Sequence, residues 1–194
     1  MIKAVIFDFF GVLATRGLRQ YKKIYFKNDE HKIMQGKTLQ RELDSGTLGY
    51  DEFIDRLADL GETSREKVLQ YTENYLPNRK LLDYIRQELK PKYRIGIISN
   101  SGADWVLKII GDDDKKLFDD IVLSYQTGSV KPEPEIYKMS AKNLGVKPAE
   151  CVLVDDILIY CHGAEAAGMS AVWYKNLKQM KRQLEVLLTA GPDN

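Results

Sequence analysis

Five short apolar runs, each rich in β-branched residues, constrain the fold of this 194-residue chain more than any other feature. They lie at residues 4–7, 95–99, 121–124, 151–154 and 171–174. Their hydrophobicity is continuous and does not alternate, which is typical of strands that are covered on both faces. The runs therefore predict an α/β fold with a Rossmann-like parallel sheet at its core.

The segments that lead into or follow these runs carry the patterns of helices. Residues 134–144 begin with a proline and are followed by Gly145 as a stop, and residues 177–187 place apolar side chains on one face. A further helix is predicted over residues 78–89, where it returns the chain to the sheet. We expect the last residues, 190–194, to fray.

The interval between the first two runs is much longer than the dozen or so residues that a crossover between parallel strands needs. It carries helical patterns and no strand pattern, and one apolar helical stripe in it ends at Gly61. We interpret residues 16–76 as a small helical cap inserted into the sheet domain. The sheet domain would then comprise residues 1–15 and 77–194.

Composition excludes several classes of partner. The chain has 29 Lys and Arg against 28 Asp and Glu, and a net charge of +1 offers no bulk field to attract nucleic acid or an anionic membrane. No apolar stretch reaches the ~18 residues of a membrane helix, and Asp8 interrupts the run that could resemble a signal peptide. With Cys151 and Cys161 as its two cysteines, the chain is expected to be cytoplasmic and without a disulfide framework.

Polar side chains end or directly follow the predicted strands, except that Lys131 follows the third run at a distance, and they comprise three carboxylates, a hydroxyl, an amide and an ammonium. They are Asp8, Ser99, Asn100, Lys131, Asp155 and Asp156. Taken singly, each suits a helix cap, a turn or a loop. Because ligands bind beyond the carboxyl ends of parallel strands, we expect these side chains to form one site.

The charges of this set favour a divalent cation. Without one, the three carboxylates and the lysine sum to about −2, which would repel a phosphate dianion. Mg²⁺ would bring the sum near zero, and it prefers hard oxygen ligands completed by water and by substrate phosphate. The set therefore predicts a magnesium and phosphate site.

Four short segments together resemble the motifs of the haloacid dehalogenase superfamily. They are VIFDFFGVL at residues 5–13, IISN at residues 97–100, KP at residues 131–132 and VLVDD at residues 152–156. The helical segment after the first motif is similar to the small C1-type cap of that family. The resemblance implies a magnesium-dependent hydrolase, most often a phosphatase, whose partner is a small phosphorylated substrate.

The resemblance also implies roles for individual residues. Asp8 would be the nucleophile that forms an aspartyl-phosphate, and Lys131 would be the second catalytic residue, which supplies positive charge. The implied phosphate-binding residues are Ser99, Asn100 and Lys131. The implied magnesium ligands are Asp8, the backbone carbonyl of Phe10, Asp156 and, directly or through water, Asp155.

One position departs from the family pattern. Two residues after the nucleophile, family phosphatases usually place a second Asp, which protonates the leaving oxygen and then activates water; here that residue is Phe10. A phenyl ring can do neither, and losing a general acid typically costs ~10²–10⁴-fold in rate. Within the insertion, His31, Tyr21 and Tyr25 are candidates to replace it.

Three functions remain open at this point. The first is a phosphatase that tolerates the missing acid. The second is a metal-free 2-haloacid dehalogenase, which Phe10 suits because halide leaves without a proton, although Asp155 and Asp156 would repel the carboxylate of the substrate. The third is a non-catalytic phosphate-binding or regulatory domain, against which the complete set of strand-end residues argues.

Two clusters of like charge have plainer interpretations. Arg16, Arg19, Lys22 and Lys23 could contact a second anionic group, but they are more simply explained as a solvated basic helix face. The three aspartates at residues 112–114 lack the spacing of a calcium loop. We expect them to form a solvated turn or helix start.

Overall fold

A parallel sheet of five strands forms the centre of the computed structural model, which describes residues 1–189 apart from the side chain of Leu107. The strands are β1 (Ala4–Phe7), β2 (Arg94–Ser99), β3 (Asp120–Leu123), β4 (Cys151–Asp155) and β5 (Ser170–Trp173). They lie in the order β3-β2-β1-β4-β5, and every pair is parallel. Each strand overlaps a predicted run, so the prediction of a Rossmann-like α/β sheet is confirmed.

Ten α-helices connect or follow these strands within the described residues. They are α1 (Gly17–Tyr25), α2 (Glu30–Asp44), α3 (Tyr50–Leu60), α4 (Arg65–Thr72), α5 (Arg79–Tyr84), α6 (Trp105–Lys115), α7 (Ser124–Thr127), α8 (Pro134–Asn143), α9 (Leu158–Ala166) and α10 (Leu177–Thr189). A π-helical turn, Ile85–Leu89, continues α5, and a 3₁₀ turn, Pro148–Glu150, precedes β4. The predicted helix over residues 78–89 is therefore present, but its second half is π-helical.

Alternate residues of the strands face opposite sides of the sheet. Val5 and Phe7 of β1 pack with α5, α6 and α10, whereas Ala4 and Ile6 pack with α8 and α9. All four side chains are buried, because helices cover both faces. This arrangement is the physical reason for the continuous hydrophobicity of the strands.

Helices α1 to α4, which we call the four-helix segment, have a hydrophobic core of their own. It includes Tyr21, Phe53, Ile54, Leu57 and Val68. The chain enters and leaves the segment through neighbouring positions, since Ala14 bridges to Pro77 and the backbone N–H of Thr15 donates to the carbonyl of Leu76. The cap boundaries at residues 16 and 76 stay a prediction.

The expectation for the acidic cluster at residues 112–114 is wrong in part. The three aspartates directly follow Gly111, whose φ of 71° and ψ of 168° interrupt α6, so they begin its second helical piece, as expected. Asp114 is buried and pairs with both Arg79 and Arg86. Its burial is possible because two guanidinium groups balance the carboxylate, whereas Asp112 and Asp113 are exposed as expected.

The remaining sequence expectations concern the end of the chain and its cysteines. The predicted fraying of residues 190–194 lies outside the described residues. Cys151 and Cys161 are both buried and free. From residue 1 to residue 189, no helix combines the length and the apolar character that crossing a membrane requires.

Candidate active site

The carboxyl edge of the sheet brings the predicted residues together. Asp8 directly follows β1, which lies between β2, ending at Ser99, and β4, ending at Asp155. Carboxylate oxygens of Asp8, Asp155 and Asp156 lie within 4.8 Å of one another. The convergence follows from the parallel topology, because it places the ends of neighbouring strands side by side.

Lys131 is buried between two of these carboxylates. Its Nζ lies 2.7 Å from Oδ1 of Asp8 and 2.6 Å from Oδ2 of Asp155. Burial alone would lower the pKa of Lys131, but the carboxylates of Asp155 and Asp8 raise it overall, so the ammonium stays charged. Burial raises the pKa of Asp155, and the neighbouring Asp8 adds to this effect, while Lys131 opposes it.

Asn100 holds the backbone of Lys131 in place. Its Oδ1 accepts a hydrogen bond from the Lys131 N–H at 2.8 Å, and its Nδ2 donates to the Lys131 carbonyl at 3.0 Å. Both polar atoms of the side chain are therefore used to position the lysine. Besides the phosphate-binding role that the family resemblance implies, Asn100 therefore has this positioning role.

Two buried polar atoms at this edge have no hydrogen-bond partner in the part of the chain that the structure describes. They are Oδ2 of Asp8 and Oγ of Ser99. Folded proteins rarely leave such atoms unpaired, and an ion or a ligand is a common reason when they do. The two atoms offer an acceptor for a cation and a donor for an anion.

Asp155 and Asp156 differ in what their oxygens contact. Oδ1 of Asp155 accepts from the N–H of Ile157 at 2.8 Å, and its Oδ2 contacts Lys131, so both oxygens are engaged. This arrangement suits a contact with a metal ion through water better than direct ligation. Asp156 is more accessible, with 16% of its side chain exposed, and it contacts Arg16.

Arg16 lies where three of the implied magnesium ligands meet. Its Nε donates to the carbonyl of Phe10 at 2.6 Å, and its Nη2 donates to Oδ1 of Asp156 at 2.7 Å. The same Nη2 lies 3.6 Å from Oδ2 of Asp8. The expectation of a solvated basic face is therefore wrong for Arg16.

Gly11 makes this close approach possible. Its φ is +105°, a conformation that L side chains rarely adopt. A Cβ at this position would lie 2.5 Å from Nε of Arg16 and 2.5 Å from Oδ2 of Asp156. The glycine thus leaves room for the guanidinium of Arg16 beside the carboxylate of Asp156.

The donor set fits a magnesium ion. Two carboxylates, Asp8 and Asp156, and the carbonyl of Phe10 supply hard oxygen atoms that face a common point. The guanidinium of Arg16 already lies among these oxygens, and Oδ2 of Asp8 is buried without a hydrogen bond. The chemistry of the donors and their convergence are what such an ion requires.

A cavity of about 320 Å³ extends from Asp8 to the four-helix segment. Phe10 lines the cavity, and its ring packs against that of Tyr75, with ring centroids 4.9 Å apart. Lys22 also lines the cavity, and its Nζ donates to the carbonyl of Gly36 at 3.2 Å. The prediction of a solvated face is thus wrong for Lys22 as well.

The candidates for a replacement acid do not line this cavity. His31 is exposed, while Tyr21 is buried and donates to the carbonyl of Leu57 inside the four-helix segment, where Tyr25 stacks on it. Asp44, which the sequence analysis did not single out, lines the cavity instead. No local sequence signal distinguishes Asp44 from other acidic residues at helix ends.

A parallel α/β fold with carboxylates and a buried lysine at the carboxyl edge of its sheet defines a protein that binds and transforms a ligand at that edge. The chain belongs to the haloacid dehalogenase-like hydrolase family, because a sequence model of that family matches residues 2–168. The resemblance seen in the four motifs is thereby confirmed, and the protein is a hydrolase.

Relatives and solved structures agree with this membership. The Bacillus subtilis protein YhcW, named as a phosphatase, is 30% identical over 91% of this chain and 84% of its own. The D-ribitol-5-phosphate phosphatase of Bacteroides thetaiotaomicron is 28% identical over 98% of this chain and 100% of its own. A haloacid dehalogenase (HAD) family enzyme of the same organism has been solved with magnesium and inorganic phosphate. It superposes with a TM-score of 0.68 at 28% identity, and the match covers 90% of this chain and 95% of that enzyme.

Proposed function

We propose that this protein is a magnesium-dependent phosphatase that acts on a small phosphorylated metabolite through an aspartyl-phosphate on Asp8. The observation that carries the proposal is the convergence of Asp8, Lys131 and Asp156 at one edge of the sheet. The phosphatase names of two relatives of similar length and a solved HAD family structure with magnesium and inorganic phosphate support it.

The first step transfers the phosphoryl group to the protein. A carboxylate oxygen of Asp8 forms a bond to phosphorus while the bond between phosphorus and the leaving oxygen breaks. Lys131, whose Nζ donates to Oδ1 of Asp8 at 2.7 Å, fixes the orientation of that carboxylate. The hydroxyl of Ser99, which has no hydrogen-bond partner of its own in the described structure, donates to a phosphoryl oxygen.

The second step releases the product. A water oxygen forms a bond to phosphorus, the bond between phosphorus and Asp8 breaks, and inorganic phosphate leaves with the carboxylate restored. Asp8, the carbonyl of Phe10 and Asp156 would hold Mg²⁺, with Asp155 acting through water. When bound, the ion would neutralise the negative charge of the phosphoryl group as its bonds change.

A metal-free 2-haloacid dehalogenase is the second candidate function, and Phe10 is the observation that favours it. Halide needs no proton when it leaves, so a phenyl ring would carry no penalty. The cluster of Asp8, Asp155 and Asp156 weighs against this candidate, because the carboxylate of a haloacid would approach three others.

An aryl phosphate separates these functions, since its leaving oxygen needs little protonation. We expect turnover with Mg²⁺, loss of turnover in excess EDTA and recovery when Mg²⁺ is restored, measured as release of the phenolate by absorbance. Turnover of 2-chloropropionate in EDTA would instead establish the dehalogenase. A protein that binds inorganic phosphate but turns over neither compound would be a binding or regulatory domain.

A further inference from the structure

We propose that Arg16 is an internal competitor of the divalent cation. In the metal-free protein its guanidinium holds the oxygen ligands of the site, and it must leave them when the ion binds. The inference rests on the proposed function, because it concerns the magnesium site of the proposed phosphatase.

The contacts of Arg16 are made to the atoms that would ligate the ion. Its nitrogens lie 2.6 Å from the carbonyl oxygen of Phe10 and 2.7 Å from Oδ1 of Asp156. Mg²⁺ binds oxygen ligands at about 2.0–2.1 Å, in the same space between those oxygens. A guanidinium and an ion therefore cannot occupy the site together.

The net charge of the site also supports competition between Arg16 and a divalent cation. Asp8, Asp155 and Asp156 are balanced by two internal cations, Lys131 and Arg16, and the sum is about −1. Arg16 thus supplies part of the positive charge that the sequence analysis attributed to a metal. Without Arg16, the same ligands would attract a divalent cation more strongly.

The surroundings of Arg16 allow its side chain to move while its backbone stays. A Cβ on the next residue, Gly17, would lie 1.7 Å from the carbonyl oxygen of Tyr71, so the start of α1 packs directly against the end of α4. The side chain of Arg16 is 27% exposed and lines the cavity. Rotation into the cavity is enough to release the ligands.

Calorimetric titration with Mg²⁺ tests the competition without depending on turnover. For Arg16→Gln we expect the Kd for Mg²⁺ to fall about tenfold or more, because an apparent affinity rises when the competing state is removed. Arg16→Lys keeps the positive charge but loses the planar guanidinium, which contacts two oxygen ligands at once. Its Kd for Mg²⁺ should therefore lie between those of the wild type and Arg16→Gln. Lys23→Gln, an exposed position on α1, the helix that Arg16 precedes, is the matched control and should stay within about twofold of the wild type.

The thermal midpoint provides a second measurement and a check on folding. Mg²⁺ at a fixed concentration should raise the Tm of Arg16→Gln more than that of the wild type. If the wild type and Arg16→Gln bound Mg²⁺ with equal Kd and the wild type hydrolysed an aryl phosphate, the competition would be overturned and the proposed function would stand. Equal tightening in Lys23→Gln would also overturn it. If no form bound Mg²⁺ or hydrolysed the aryl phosphate, the function itself would fail.

A different observation carries a second inference, about the proton that Phe10 cannot supply. We infer that Asp44 donates this proton to the leaving oxygen from the side of the four-helix segment. Asp44 lines the same cavity as Asp8 and Phe10, and these two aspartates are the carboxyl side chains of its wall. This inference also rests on the proposed function.

Hydrogen bonds to both its side chain and its backbone hold Asp44 in place. Nε2 of Gln40 donates to its Oδ1 at 3.0 Å, and the hydroxyl of Ser124 donates to its backbone carbonyl. The second contact ties the end of α2 to the start of α7 in the sheet domain. The charged groups that act on Asp44 are Lys22 of α1, Lys131 and Asp8.

The protonation of Asp44 suits this role. Burial raises its pKa to about 6, although the hydrogen bond from Gln40 and the charges of Lys22 and Lys131 oppose the rise. The proton passes from the carboxyl to the leaving oxygen as the bond to phosphorus breaks. In the second step the carboxylate takes a proton from the attacking water, so the group returns to its initial state.

Comparing an alkyl with an aryl phosphate isolates the contribution of Asp44. For Asp44→Asn we expect kcat for the alkyl phosphate to fall by ~10²-fold and kcat for the aryl phosphate to change little. The ratio of alkyl to aryl turnover in the wild type, divided by the same ratio in Asp44→Asn, cancels the titration of the two substrate phosphates. This double ratio should decline as the pH rises through about 6, because the acid form of Asp44 is lost.

Two further variants complete the test. Asp44→Glu should restore part of the alkyl turnover, and Asp59→Asn, an exposed position on α3, should match the wild type. Equal losses with both substrates, or no loss with the alkyl phosphate, would overturn the role of Asp44. A wild-type protein without aryl phosphatase activity would overturn the proposed function instead.

Discussion

Replacing Asp8 by Asn is expected to lower kcat for an aryl phosphate by ~10⁴-fold or more. An amide oxygen is a far weaker nucleophile than a carboxylate, so the covalent step is lost. The substitution changes the shape of the site little, because the amide oxygen can still accept the hydrogen bond that Lys131 now donates at 2.7 Å. Initial rates at saturating substrate and Mg²⁺ measure the effect.

The covalent intermediate gives this prediction a second readout. Rapid acid quenching during turnover should trap a phosphorylated wild-type protein and leave Asp8→Asn unlabelled. Asp112→Asn is the matched control, since it makes the same change at an exposed position on α6. A variant of Asp8 that kept full phosphatase activity would end the nucleophile assignment.

The placement of Asp8, Ser99 and Asp155 could be predicted because it depends on local information. Continuous apolar runs indicate buried parallel strands, and the topology of such strands puts their ends at one edge. Each of these residues is the last of its run or the one after it. Their convergence follows without knowledge of any particular side-chain contact.

The position of Arg16 could not be predicted in this way. A helix start after a strand places the backbone of Arg16 but not the direction of its side chain. That direction depends on contacts with Asp156, which lies 140 residues further along the chain, and on the absence of a side chain at Gly11. Charge patterning alone therefore predicts a solvated face, which is the commoner environment for a basic residue.

Asp44 and Asn100 show the same dependence on distant contacts. The environment of Asp44 arises when the end of α2 meets α7, through a hydrogen bond from Ser124 across 80 residues. Asn100 uses its amide to hold Lys131, 31 residues away. Residue type and spacing indicate which groups can do chemistry, but the packing of the four-helix segment decides which of them reach the cavity.

Replacing Phe10 by Asp is expected to raise kcat for an alkyl phosphate by ~10²-fold in an Asp44→Asn background and by less in the wild type, because the site gains an acid at the position where family phosphatases usually carry one while Asp44 already serves the wild type. Phe10 lines the cavity together with Asp8, so a carboxyl there would face the leaving oxygen. Its backbone carbonyl is retained. Turnover of an aryl phosphate should change much less, since a phenolate leaves without a proton.

The control for this substitution is Phe10→Asn, which removes the same packing against Phe9 and Tyr75 without adding an acid. It should lower the thermal midpoint about as much as Phe10→Asp and leave turnover of the alkyl phosphate slow.

If Asp44 supplies the proton in the wild type, the gain from Phe10→Asp should be larger in an Asp44→Asn background, because the two acids would serve the same leaving oxygen. A gain of equal size in both backgrounds would mean that Asp44 and residue 10 act independently, and no gain in either would mean that protonation of the leaving oxygen does not limit this enzyme.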